Sequence, residues 1–201
     1  MRLYYSPGAC SLAPHIALAE SQIKYDLEKV DLKSKKTEKG ADFLQINPKG
    51  YVPCLALEDG DTLTEVAVIL QCIADLSPDK ALLPAFPSRQ RYHALEWLNF
   101  ISSEMHKKLG MLFHSVPEDY KKVVLASFAK RCDFLSEALN TGPYLMGEQF
   151  GVIDAYCFTI LTWTKPLKFD LTAWPNVLAY LKRVRTRPSV IEALKEEGLT
   201  P

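Results

Sequence analysis

The feature that most constrains the fold is a change of hydrophobic pattern near residue 80. Before it, short apolar and alternating segments are separated by turns, which is typical of strands and short helices. After it, apolar residues recur at helical spacing, as at Val124, Phe128 and Cys132. Between the two regions, residues 77–90 carry three prolines and are a predicted linker. The chain therefore divides into a small α/β part and a larger all-α part.

The segments that precede the linker predict a thioredoxin-like domain. Their order is strand, helix, strand, then a helix, then two strands and a helix. Ser11 is the predicted N-cap of the first helix, and Pro14 is tolerated in its first turn. We therefore predict an α/β plus all-α chain, with a thioredoxin-like domain over residues 1–80 and an all-helical bundle domain over residues 87–201.

The composition argues against several classes of partner. Lys+Arg and Asp+Glu both number 24, so the net charge is zero and no basic field recruits nucleic acid or an anionic membrane. The opening apolar run is too short for a signal peptide, and no 18-residue apolar stretch occurs. We expect a cytoplasmic protein with neither a nucleic-acid nor a membrane partner.

The cysteines and histidines do not form a recognisable framework. The five cysteines are odd in number and include no C-x-x-C pair, and the four histidines show no ligand spacing with them. We therefore expect no disulfide framework and no bound metal. Cys72 and Cys157 lie in apolar helical patterns and are predicted to be core residues.

Cys10 differs from the other cysteines because it lies where a predicted strand ends and a predicted helix begins. Backbone N–H groups and the helix dipole stabilise a thiolate at such a position and lower its pKa. Gly8 would let the backbone approach a bound molecule. Two interpretations stay open from position alone: a reactive thiol, or a small residue that fills a gap beneath the sheet.

Val52 and Pro53 directly precede an apolar strand, where proline is unusual because it lacks a donor for the sheet. A cis bond between the two residues would leave the Val52 N–H and C=O free to pair with an extended peptide. A proline at the first position of an edge strand explains the pattern equally well.

Two further features indicate polar groups in a cleft. Glu65 begins a predicted helix, where it could accept a ligand ammonium while the Val66 N–H holds a ligand carboxylate; a capping role alone is the common alternative. On the long helix after the linker, Asn99, Ser103 and His106 fall on one stripe at roughly 100° per residue. The stripe is either a solvated face or the lining of a cleft.

Together, LYYSPGACSLAPHI, INPKGYVPCL, LTE and EWLNFISSEMHK make the chain resemble the bacterial β-class glutathione transferases over essentially its whole length. The resemblance implies a detoxifying enzyme that conjugates glutathione to an electrophilic or hydrophobic second substrate. It also implies a homodimer that uses glutathione as co-substrate and needs no cofactor.

The same resemblance implies a set of site residues. Cys10 would face the glutathione sulfur and could form a mixed disulfide with it, and His106 would line the same point. Glu65 and Val66 would bind the γ-glutamyl end. The other implied glutathione contacts, some of them from the partner subunit, are Ala9, Lys35 at the glycine carboxylate, Val52 and a cis Pro53 at the cysteinyl backbone, Asn99, Ser103, Glu104 and Met105.

Two residues depart from the pattern of that family. Val66 stands where glycine or serine is common, which preserves a backbone N–H contact but removes a hydroxyl contact. Gly151 stands where Ser or Thr usually caps the helix that carries Asp154, a change that costs about a few tenths of a kcal/mol. Neither departure argues against the resemblance.

Alternatives to conjugation remain open. Cys10 also permits glutathione-dependent thiol–disulfide exchange, because a cysteine can attack or be attacked by a second sulfur. An isomerase or a dehalogenase would use the same scaffold with a different second-substrate pocket. A non-catalytic carrier of apolar ligands is the alternative from outside the enzymes.

Overall fold

A five-stranded mixed sheet organises the first part of the chain in the computed structural model, which describes residues 1–200. The strands are β1 (Arg2–Tyr5), β2 (Asp26–Asp31), β3 (Lys36–Thr37), β4 (Cys54–Ala56) and β5 (Thr62–Thr64). Their spatial order is β3-β2-β1-β4-β5, with β1 and β2 parallel and the other neighbours antiparallel. The helices of this part are α1 (Leu12–Ser21), α2 (Phe43–Ile46) and α3 (Val66–Asp75). The predicted thioredoxin-like layout is confirmed.

The second part of the chain is helical, as its periodicity predicts. A short 3₁₀ turn at Pro78–Lys80 lies in the linker between the two parts. No helix within residues 1–200 combines the length and the apolar character needed to cross a membrane. The helices are α4 (Arg89–Phe100), which continues through a π-helical turn at Ile101–His106 into α5 (Lys107–Met111), then α6 (Glu118–Ala138), α7 (Val152–Thr162), α8 (Pro175–Arg185) and α9 (Pro188–Glu196).

Helix α1 joins the two parts because almost every one of its side chains is buried. Leu12 and Ile16 belong to one continuous apolar core that also contains Phe158 of α7 and Val190 of α9. A helix that is apolar on all sides needs neighbours on all sides, and α1 contacts α3, α7 and α9. The start of α1, where Cys10 lies, is therefore positioned by both parts of the chain.

Ser11 directly precedes α1, as predicted, but it does not cap the helix, and the extent of a second helical segment was wrong. Ser11 has helical backbone angles and makes no capping hydrogen bond; its hydroxyl instead donates to the Ser6 carbonyl at 3.2 Å and accepts from the Ser6 N–H at 3.1 Å. The turn is already wound at this point, since the Ala13 N–H donates to the Cys10 carbonyl. The second helix of the predicted order is also shorter than residues 36–47, the segment KTEKGADFLQIN that suggested it, because this segment contains strand β3 before α2 begins at Phe43.

Gly151 is explained by close packing against the linker. The Leu82 carbonyl accepts from the Val152 N–H at 3.0 Å, and a Cβ atom added to Gly151 would lie 2.7 Å from that carbonyl oxygen. The buried Asp154 carboxylate accepts from the Gly151 N–H at 2.9 Å and so supports the start of α7. Serine or threonine at position 151 would force the linker away from α7.

Gly151→Ala should therefore lower the free energy of unfolding by about 1–3 kcal/mol, because it crowds a backbone carbonyl. The measurement is urea denaturation followed by circular dichroism. Gly110→Ala is the matched control, since its added Cβ meets only ordinary contacts at 3.8 Å and beyond inside a helix. That control should be neutral or slightly stabilising. Equal stability of the two variants would contradict this account of Gly151.

Candidate active site

The Cys10 thiol lies at the floor of a cleft between the two parts of the chain. Its Sγ donates to the Val52 carbonyl at 3.3 Å. Val52 and Pro53 are joined by a cis peptide bond, so the first of the two explanations for this proline is confirmed. The sequence suggested that a cis bond would leave the Val52 carbonyl free. In the structure this carbonyl instead accepts a hydrogen bond from the Cys10 thiol. The cleft encloses about 540 Å³.

Burial dominates the chemistry of Cys10 and reverses the expected direction of its pKa shift. Burial raises the pKa of the Cys10 thiol to about 12, and the nearby Glu65 and Glu197 carboxylates act in the same direction. The backbone N–H groups of Cys10 and Ser11 lower the pKa, as a helix start should, but by less than burial raises it. In the ligand-free protein the thiol is therefore protonated at neutral pH.

Glu65 lies on the same cleft and has an unusual backbone. It precedes α3 with φ of 70°, a region that L-residues rarely adopt and that is held only by its surroundings. Its Oε1 accepts from Lys49 Nζ at 2.8 Å and from the Tyr51 hydroxyl at 3.4 Å. The hydrogen bond from Lys49 lowers the pKa of Glu65, so the carboxylate stays ionised. It makes no side-chain capping bond, which leaves simple capping without support.

His106 forms the opposite wall of the cleft. Its Nδ1 lies 2.7 Å from the Tyr156 hydroxyl, and its ring packs edge to face on Trp163 with centroids 5.1 Å apart. Burial lowers the pKa of His106 to about 4, with a smaller contribution from Lys107, so the imidazole is neutral at physiological pH. A neutral imidazole can donate one hydrogen bond to a sulfur but carries no charge to attract it.

The π-helical turn at Ile101–His106 moves Asn99 and Ser103 off the face of the helix that carries His106 into the cleft. Six residues in this wider turn shift the register, so the cleft is lined by Ser102 and His106 instead of Ser103 and His106. Ser103 is exposed, and its hydroxyl donates to the Asn99 carbonyl at 3.0 Å within the helix. The assumption of 3.6 residues per turn across this segment was wrong.

The structure brings some of the predicted site residues together and places the others elsewhere. Glu104 pairs with Lys108 and Arg131 outside the cleft, and Lys35 donates to the Gly50 carbonyl at 2.6 Å. Met105 is fully buried in the core. The predicted residues that line the cleft are Ala9, Cys10, Val52, Pro53, Glu65, Val66 and His106; Lys35, Asn99, Ser103, Glu104 and Met105 do not line it in the single chain.

Several lining residues were not found from the sequence. Trp163 and Tyr156 follow the same apolar period as their buried neighbours on α7, so nothing in the pattern sets them apart from core residues. Within residues 1–200, no group of three or more His, Cys, Asp or Glu side chains is arranged to hold a metal. The cleft residues that sequence reasoning missed are Leu32, Tyr51, Ser102, Lys107, Gly110, Met111, Phe113, His114, Tyr156 and Trp163.

Comparison with known proteins identifies the family of this chain. The family model of the glutathione S-transferase N-terminal domain matches residues 8–76, and that of the C-terminal domain matches residues 100–188. Glutathione S-transferase GstA of Escherichia coli O157:H7 is 44% identical over 200 residues, which cover 99% of this chain and 100% of the relative.

The chain belongs to the glutathione S-transferase family.

Solved structures place it near the β-class members of this family. The structure of the bacterial β-class glutathione S-transferase of Sphingomonas chungbukensis is 43% identical, with a TM-score of 0.96 and complete coverage of both chains. A sphingomonad glutathione S-transferase complexed with glutathione is 42% identical, with a TM-score of 0.95 and the same coverage. The glutathione S-transferase fold therefore extends over the whole of this chain.

Cys10 should react slowly with iodoacetamide at neutral pH in the ligand-free protein, although its side chain is partly exposed to the cleft. Because burial raises its pKa to about 12, the alkylation rate should keep rising with pH beyond pH 10. Peptide mapping of the alkylated protein follows Cys10 separately from Cys72, which is partly exposed like Cys10 itself, and Cys10→Ser identifies the Cys10 peptide. A rate for Cys10 that levels off below pH 9 would show that the thiolate is stabilised in the free protein.

Proposed function

We propose that this protein binds glutathione in the Cys10 cleft and conjugates it to electrophilic small molecules. The observation that carries the proposal is the convergence, in one cleft of about 540 Å³, of Cys10, the Val52 backbone, Glu65 and His106. Family membership and the similar transferase structure with bound glutathione support it. The proposal requires no cofactor beyond glutathione itself as co-substrate.

The charges around the cleft fit a tripeptide bound in one direction. Glu65 accepts the γ-glutamyl ammonium through Oε2, since Oε1 is engaged by Lys49. The Val66 N–H holds the α-carboxylate at the start of α3, where free N–H groups and the helix dipole favour an anion. Lys35 reaches the glycine carboxylate after releasing the Gly50 carbonyl, and the sulfur lies between Cys10 and His106.

The second substrate takes the apolar end of the cleft. Met111, Phe113 and Trp163 line this end, and Phe113 packs edge to face on Trp163 with centroids 5.3 Å apart. Aromatic and apolar walls bind flat hydrophobic molecules. An electrophilic aromatic or other apolar compound is therefore the substrate class that we propose.

The family resemblance implies a homodimer, and one surface of this chain suits a second subunit. Trp97, Phe100 and Phe134 form an aromatic cluster with ring centroids 5.1–5.7 Å apart, and Phe134 is half exposed. We propose that a second copy covers this cluster in a homodimer, since large exposed apolar groups mark interfaces. Asn99, Ser103 and Glu104 keep their proposed roles toward glutathione in this assembly, whereas Met105 lies in the core of its own chain and supports them from beneath. A monomer by sedimentation equilibrium would refute the homodimer.

We also propose that the protein works in the cytoplasm and that its two parts have separate binding roles. All five cysteines are free, which suits the cytoplasm, where thiols stay reduced. Residues 1–80 form the proposed glutathione-binding unit and residues 87–201 the unit that forms the second-substrate site.

Glu65→Gln should weaken glutathione binding by about 1.5–3 kcal/mol, because it removes a charge-assisted hydrogen bond while keeping the size of the side chain. Isothermal titration calorimetry measures the affinity, and turnover of an aromatic chloronitro compound measures conjugation. Glu148→Gln, on the exposed surface, is the matched control. An unchanged glutathione affinity in Glu65→Gln would show that Glu65 does not bind glutathione. Glutathione binding by the wild type without turnover of any electrophile would favour the alternative of a non-catalytic carrier.

Cys10 should also exchange with disulfides of glutathione. Its thiolate attacks one sulfur of oxidised glutathione, which leaves a mixed disulfide on Cys10 and releases one glutathione thiolate. Mass spectrometry of the intact protein should then show one added glutathione that a reductant removes, and Cys10→Ser should show none. An adduct that persists in Cys10→Ser would assign the exchange to another cysteine.

A further inference from the structure

Tyr156 is a polar side chain of the cleft to which the proposed function gives no role, and it is bonded directly to His106. It projects from α7, only 1% of its surface is exposed, and its hydroxyl lies 2.7 Å from His106 Nδ1. The two rings meet edge to face with centroids 5.7 Å apart. Trp163 packs on the same imidazole with centroids 5.1 Å apart. The orientation of the His106 ring is therefore fixed by two neighbours from the helical part of the chain.

The direction of this one hydrogen bond decides where the proton of His106 lies. Burial keeps both partners neutral, because it lowers the pKa of His106 to about 4 and raises that of Tyr156 well above its usual range. A neutral imidazole has a single ring proton, on Nδ1 or on Nε2. Only one hydrogen fits between Nδ1 and the hydroxyl oxygen, so the bond specifies the tautomer.

The chemistry of the two groups favours Tyr156 as the donor. A phenol is a better donor than a neutral ring N–H, and an imidazole lone pair is a better acceptor than a phenol oxygen. His106 Nδ1 is the acceptor that lies within hydrogen-bond distance of the buried phenol. If Nδ1 carried the proton and donated instead, the phenol proton would lose this acceptor, and a buried donor without an acceptor is costly.

We propose that the Tyr156 hydroxyl donates to His106 Nδ1 and so holds the imidazole as the Nε2–H tautomer, which presents a donor to a sulfur bound beside Cys10. The identity of that sulfur rests on the proposed function, whereas the tautomer does not. Tyr156 is a positioning residue, because it acts on the sulfur only through His106. His106 then serves as a hydrogen-bond donor to a thiolate and not as a base that removes its proton.

Nitrogen-15 NMR of the histidine rings tests the tautomer in the ligand-free protein at pH 7.5. His106→Ala identifies the signals of His106. The wild type should show a pyridine-type shift at Nδ1 and a pyrrole-type shift at Nε2, and Tyr156→Phe should move both toward an average of the two tautomers. A pyrrole-type Nδ1 in the wild type, or identical shifts in Tyr156→Phe, would overturn the proposal.

Kinetics of glutathione conjugation supply a second test. Tyr156→Phe should lower kcat roughly three- to tenfold, the effect of one lost hydrogen bond, with little change in KM for glutathione. Tyr120→Phe, on the exposed face of α6, is the matched control. In a His106→Ala background, Tyr156→Phe should have no further effect. An equal loss of kcat in both backgrounds would show that Tyr156 acts independently of His106. A wild type without turnover would contradict the proposed function, and the NMR experiment would then still test the tautomer.

Discussion

The turn between β1 and α1 is fixed by hydrogen bonds to residues in the C-terminal part of the chain, and the geometry of the cleft depends on these bonds. The Gly8 N–H donates to the buried Glu197 carboxylate at 2.8 Å, and the Gly8 carbonyl accepts from the Trp163 indole at 2.9 Å. Glu197 is fixed in turn by His15 at 3.0 Å. Because Trp163 also packs against His106, the same contacts position both walls of the cleft. The site is thus a product of both parts of the chain.

Burial at this junction determines the charge state of the ligand-free site. Removal from water keeps the Cys10 thiol protonated and the His106 imidazole neutral, and Glu65 stays ionised at the solvent edge of the cleft. The donors that remain are the N–H groups at the start of α1 and one imidazole proton. A thiolate that a ligand brings into the cleft can accept from these donors at once, whereas the Cys10 thiol must first lose its own proton. Conjugation and thiol exchange therefore make different demands on one residue.

The sequence predicted the parts of this molecule that follow from periodicity and missed those that follow from contacts. The layout of strands and helices was predictable because each long element carries a clear apolar period. Strand β3 is only two residues long and has no period to detect. The π-helical turn before His106 breaks the 3.6-residue repeat without a sequence signal, and it exchanges Ser103 for Ser102 in the cleft. The pKa of Cys10 depends on burial, which local sequence does not contain.

The central claim is that one glutathione molecule contacts both parts of the chain at once. Backbone amide NMR during a titration with reduced glutathione tests it most directly. The account predicts that signals of Gly8, Cys10, Val52, Val66 and His106 shift together and saturate with a single dissociation constant. Shifts confined to the first 80 residues, or shifts in the two parts with separate dissociation constants, would contradict a site formed between them.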